Sequence, residues 1–267
     1  MSSHNRPQTN KGPLLWSLLL VVIGGLLLLG NFFLLGTVNI FDLWPLLLVL
    51  MGAWILLRGD VVPNSDFRTF GITRGSIESA TLEINSGEID VQIRGLQSRN
   101  AERLIAGQYA QGARPDLETS DVHAHLKLER HRSPWLSFAD WEMGLSLDLP
   151  WQIVFSSHLG QITADLSQVI MQNALISTGI GDIHLTAPPE AFESLYVRSI
   201  LGNIVVITPP EYHVRITIEG GRFFDIHVDE DRYHNAGEGV YLSRNADDNL
   251  PLVDIVIAGT FGDAYLT

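Results

Sequence analysis

The sequence predicts a two-helix transmembrane hairpin followed by an all-β, repetitive domain of the β-solenoid kind. Three observations lead there. Leu14–Gly36 runs 23 residues without a charge. From about residue 75 the apolar period switches from helical spacing to two. A glycine–polar–isoleucine triplet then recurs every 21 residues, at Gly160-Gln161-Ile162, Gly181-Asp182-Ile183 and Gly202-Asn203-Ile204.

Residues 1–13 form a polar N-terminal tail carrying Arg6 and Lys11. At about 1.5 Å per residue, Leu14–Gly36 is long enough to cross a hydrocarbon core of about 30 Å. A second apolar run, about 40–57, carries only Asp42 at its edge, with Trp44 and Pro45 in its first turn. The link around Thr37–Asn39 is too short for anything but an antiparallel hairpin, so the hairpin spans 14–58. Arg6 and Lys11 precede it, Arg58, Arg68 and Arg74 follow it, and the link has no Lys or Arg. That bias predicts a multi-pass membrane protein with both termini in the cytoplasm.

Residues 59–74 read as a linker and 75–267 as the β domain. Leu82 and Ile84, then Ile89, Val91 and Ile93, alternate with polar residues about the turn Asn85-Ser86-Gly87. In the repeat, each glycine opens a short strand: Ile162–Leu166, Ile183–Thr186 and Ile204–Thr208. Second strands follow, such as Ser194–Ile200 and His213–Glu219. Degenerate copies are expected at Gly87-Glu88-Ile89, at Gly221 with Asp225-Ile226, and at Gly262-Asp263-Ala264. Two short strands every twenty-odd residues describe coils stacked face to face, with the isoleucines inside.

The chain contains no cysteine, which excludes disulfides, thiolate metal sites and a cysteine nucleophile. Its net charge of −13 disfavours nucleic acid as a partner. His123 and His125 share one face of a strand within Val122–Arg130, where Val122, Ala124, Leu126 and Leu128 point inward; a metal pair and a solvated face fit them equally. Asp182, Asp225, Asp254 and Asp263 sit near the repeat glycines, but a 21-residue period does not match the nonapeptide calcium repeat, and turn chemistry explains them. Ser156, Ser157 and His158 lack an acid partner and a nucleophile elbow. No enzyme activity, cofactor or bound metal is expected. Trp135, Phe138 and Trp141 form an apolar cluster after Pro134, which either caps the open end of the core or docks a partner.

The run Phe41-Asp42-Leu43-Trp44-Pro45-Leu46-Leu47-Leu48, with Gly52 and Arg58-Gly59, resembles the membrane hairpin of LiaI/LiaF-type bacterial proteins. Leu159-Gly160, Ala164-Asp165-Leu166-Ser167 and Ser177-Thr178-Gly179-Ile180-Gly181-Asp182-Ile183 resemble the toast-rack domain of LiaF-like and adhesin-type proteins. Val253–Ile257 with Gly262-Asp263-Ala264 matches its usual ending. The resemblance implies a non-enzymatic, membrane-anchored protein-binding module. A membrane histidine kinase of an envelope-stress two-component system is the implied partner, alongside the lipid bilayer. The alternative is an outward-facing structural or adhesin-like envelope protein. A homo-oligomer fits either reading.

Overall fold

The computed structural model describes residues 67–96, 102–110, 115–129, 141–244 and 249–267. All lie within Asp60–Thr267, the second of two compact units. The expected hairpin, its orientation and the tail lie outside the described residues. Among the described residues there is no helix, and hence none long and apolar enough to cross a membrane.

The described strands are β1 Phe67–Thr73, β2 Ser79–Gly87, β3 Val91–Gly95, β4 Arg103–Ala110, β5 Asp116–Ser120, β6 His123–Glu129, β7 Trp141–Leu145, β8 Trp151–Leu159 and β9 Ile162–Asp165. They continue with β10 Ile170–Ile180, β11 Ile183–Thr186, β12 Glu190–Ala191, β13 Leu195–Leu201, β14 Ile204–Ile207, β15 His213–Val228, β16 Tyr233–Gly237, β17 Val240–Ser243 and β18 Leu252–Leu266.

Two sheets meet along a common corner. The first stacks β5, β6, β2, β8, β10, β13, the front half of β18, the front half of β15, β17 and β16. The second stacks β1, β4, β7, β3, β9, β11, β14 and the back halves of β18 and β15. The coils run parallel from β6–β7 to β15, because each crosses the corner in the same direction. Antiparallel strands close the ends: β1, β4 and β5 at one, the β16–β17 hairpin at the other.

The core lies between the sheets. One inward row passes through Leu82, Ile153, Ala174, Leu195, Ile255 and Ile216, residue against residue on neighbouring strands. On the second sheet the repeat isoleucines Ile162, Ile183 and Ile204 stack with Val91 and Ala264, all buried. Each large aliphatic side chain buried this way contributes about 1.5–3 kcal/mol. At the hairpin end, buried Tyr233 donates its hydroxyl to Thr208 Oγ1 at 2.6 Å, and burial pushes its phenol above the ordinary tyrosine range.

Spatial order departs from chain order at both ends. β2–β3 sits between β6–β7 and β8–β9, and β18 sits between β13–β14 and β15. Two of the degenerate copies are out of phase with their expected triplets. Val91 pairs with Ile162, so Ile89-Asp90-Val91 stands opposite the first repeat triplet, two residues after the expected Gly87-Glu88-Ile89. The slip comes from an irregularity that sets Gly87 opposite Ser157, with Gly87 at φ 65°. Phe224, not Gly221, stands opposite Gly262, after an irregularity between Gly220 and Phe223. Val122 precedes β6 in a turn and is exposed rather than inward.

Candidate protein-binding face

The corner is built from the repeat glycines. Gly160, Gly181, Gly202 and Gly262 hold φ between 125° and 147°, a region L side chains rarely adopt. They also stack directly. A Cβ on Gly181 would stand 2.1 Å from the carbonyl oxygen of Gly160, one on Gly202 2.1 Å from that of Gly181, and one on Gly262 2.3 Å from that of Gly202. The next residue clamps coil to coil. Asp90 Oδ1 accepts the Gln161 N–H at 2.6 Å, Asp182 Oδ1 that of Asn203 at 2.7 Å, and Asn203 Oδ1 that of Asp263 at 3.0 Å. Asp90 and Asp182 are therefore structural acceptors along the corner, while Asp263 donates its N–H there.

The residue before each glycine, and before Phe224 at the equivalent position of β15, has the opposite character. Leu159, Ile180, Leu201, Phe261 and Phe223 pair in that order across β8, β10, β13, β18 and β15. Their exposures are 47%, 50%, 50%, 46% and 65%. With neighbouring strands about 4.8 Å apart, they form an apolar ridge about 19 Å long. Phe223 and Phe261 stack with centroids 5.4 Å apart and rings inclined by 15°. Exposed Ile200 adjoins the ridge. On its other side runs the amide and carboxylate row of Asp182, Asn203 and Asp263. Scattered exposed leucines need no explanation, but five large apolar side chains in register on adjacent strands form a contiguous patch. Such a patch, edged with carboxylates, suits an apolar segment flanked by basic side chains.

The histidines of β6 do share an outward face, as the alternation predicts. Both ring nitrogens of His123 are engaged, Nδ1 with Ser79 Oγ at 2.8 Å and Nε2 with Thr81 Oγ1 at 3.0 Å. His125 Nε2 faces Glu83 at 3.4 Å, and Lys127 bridges Glu83 and Glu129. This is a solvated polar face tied across β2 and β6. Among the described residues no group of three His, Asp or Glu side chains has metal-binding placement.

A groove of about 240 Å³ lies over β3, β4 and β7, where Arg94 pairs with Glu142 and Arg103 lies over Gly71. No cysteine, serine or histidine lines it. Its polar lining is Thr69, Gln108 and the charged Arg94, Arg103 and Glu142.

Of the predicted aromatic cluster, Trp135 and Phe138 lie outside the described residues. Trp141 opens β7, pairs with Val91 and is buried in the core, so it offers no surface to a partner. The ridge itself was not singled out from the sequence, although its signal is there: Leu, Ile, Leu and Phe directly precede the glycines at 160, 181, 202 and 262. A bulky apolar residue beside a corner glycine reads at first as another core position. Only the corner geometry shows that it turns outward.

No family model matches the chain, and no curated protein matches it. Among solved structures it is similar to a candidate cell adhesion protein from Clostridium sporogenes, at 18% identity and a TM-score of 0.64, over 75% of this chain and 98% of that one. A candidate adhesin from Bacteroides fragilis aligns over 77% of this chain and 99% of that one at 8% identity, but its TM-score of 0.30 carries no argument. The described part of the chain is thus an all-β rack with the fold of the Clostridium protein.

Proposed function

We propose that the chain is a non-enzymatic, adhesin-like binding module of the cell envelope, held on the bilayer by its N-terminal hairpin and facing outward. The observation that carries this is the ridge Leu159–Ile180–Leu201–Phe261–Phe223, an exposed apolar strip fixed on a rigid corner. The likeness to an adhesion-type protein supports the class. The acidity of the chain supports the outward side, since the cytoplasmic leaflet is anionic and repels it. Arg74 is ion-paired with Asp148 and Arg68 lies in β1, so both belong to the folded rack, and the positive charge flanking the hairpin is smaller than the sequence alone suggests.

A second reading places the rack in the cytoplasm, restraining a membrane histidine kinase. The remaining charges, Arg6, Lys11 and Arg58, favour it.

Photo-crosslinking in intact cells tests the ridge. A crosslinker at Leu201 of the full chain should capture a protein, and one at Thr119 on β5 should not. Ile180→Asp with Leu201→Asp should abolish the capture while costing under about 1 kcal/mol of stability, because both side chains are already half in water. Equal capture at Thr119, or capture that survives both substitutions, would remove the ridge as the binding face.

A further inference from the structure

The back half of β15, Phe223–Val228, is an open edge. Among the described residues it pairs only with β18. Backbone groups alternate sides along a strand. The Asp229 N–H donates to Leu266 O on β18 at 3.0 Å, so residues 223, 225 and 227 turn their N–H and C=O toward β18 as well. The N–H and C=O of Phe224, Ile226 and Val228 therefore face away from β18, with no strand paired to them among the described residues. Ile226 is opposite buried Ala264 on the core side, yet it is 38% exposed, with no described strand covering it.

Natural sheets rarely leave such an edge open and apolar. We propose that a second copy of this chain covers it, with β15 of each copy pairing antiparallel about a two-fold axis through Ile226. The sequence around Ile226 is self-complementary in that register. Ile226 meets Ile226 of the other copy in a hydrogen-bonded pair, which uses the free N–H and C=O on both sides. Phe224 meets Val228, joining two core-side apolar residues. Asp225 meets His227 on the outer face. The Ile226 opposition lies on the axis and occurs once, while the other two occur twice, each combining like apolar character or a carboxylate with an imidazole. The exposed edge strand at the other end differs: β5 carries Asp116 and Glu118, which would repel in self-pairing. The dimer extends the core of the rack into the second copy and leaves Leu159, Ile180, Leu201 and Phe261 of the corner ridge, which lie on other strands, clear of the seam.

The absence of native cysteine makes the test direct. In the full chain in membranes, Ile226→Cys should give a disulfide-linked dimer within minutes of mild oxidation. Phe192→Cys, on an exposed loop, should remain monomeric and serves as the collision control. His227→Asp should weaken dimerisation several-fold by setting carboxylate against Asp225, and the swap Asp225→His with His227→Asp should restore it. Crosslinking at residue 226 no faster than at 192 would overturn the dimer, and a swap that fails to restore association would overturn its register.

Discussion

Ile183 and His184 are neighbours in the chain and occupy opposite faces of β11. Ile183 stacks between Ile162 and Ile204, fully buried, while His184 faces outward between Thr163 and Val205. Ile183→Asp would place a carboxylate without a partner among isoleucines and should cost several kcal/mol. His184→Ala should cost under about 0.5 kcal/mol. Denaturant titration of the two variants checks this, and similar losses would mean that the inside–outside phase of the repeat is inverted. At this scale the sequence was readily legible, because alternation of burial along a strand follows directly from the pleat. It was misleading where a turn interrupts the alternation. Val122 continues the apolar phase of β6 but precedes the strand, and is exposed.

The corner element depends on glycine for two separate reasons, a positive φ and the absence of a Cβ. Gly181→Ala meets both, with φ 143° and a carbonyl oxygen 2.1 Å from the new methyl. The neighbouring atom is backbone of the adjacent coil and cannot rotate away, so this substitution should cost well over the ~1 kcal/mol of an ordinary Gly→Ala change at positive φ. Gly237, in β16, has open space for 4 Å around the position a methyl would take and no positive φ, so Gly237→Ala should leave the melting temperature nearly unchanged. Equal losses from both would show that the stacked corner is not tightly packed. The gapless repeats were legible because each has a glycine at the same offset. The copy before them was not, since Ile89-Asp90-Val91 places no glycine at the corner, and a glycine two residues earlier gives a false match. The same holds for β15, where Phe224 occupies the corner position and Gly221 lies in the irregular step before it.

At the scale of the whole molecule, parallel stacking was legible and its order was not. Nothing in a 21-residue period shows that the last strand inserts between β13 and β15, because that depends on pairings between residues far apart in sequence. Which side of the bilayer carries the rack is likewise a property of the full chain. With an outward rack, an exterior-active reporter joined through a flexible linker after Thr267 should be active, and a cytoplasm-active one silent. The linker is needed because the Thr267 N–H donates to Val206 O and its C=O accepts from Thr208 N–H, so Thr267 is itself hydrogen-bonded to β14 and the residue after it. The reverse pattern would transfer support to the kinase-restraining reading.

The insertion of β18 has a consequence for biosynthesis. During translation β13, β14 and β15 emerge before the strand that separates them in the finished rack. Until residues 252–266 arrive, β13 and the long β15 each present a bare parallel edge, and the two have a geometric opportunity to zip together wrongly. The stretch between β15 and β18 contains the β16–β17 hairpin, a local unit able to form early and occupy the far side of β15. A nascent chain stalled near residue 250 is thus an open rack with its penultimate rung missing, the state in which a chaperone or protease would meet it.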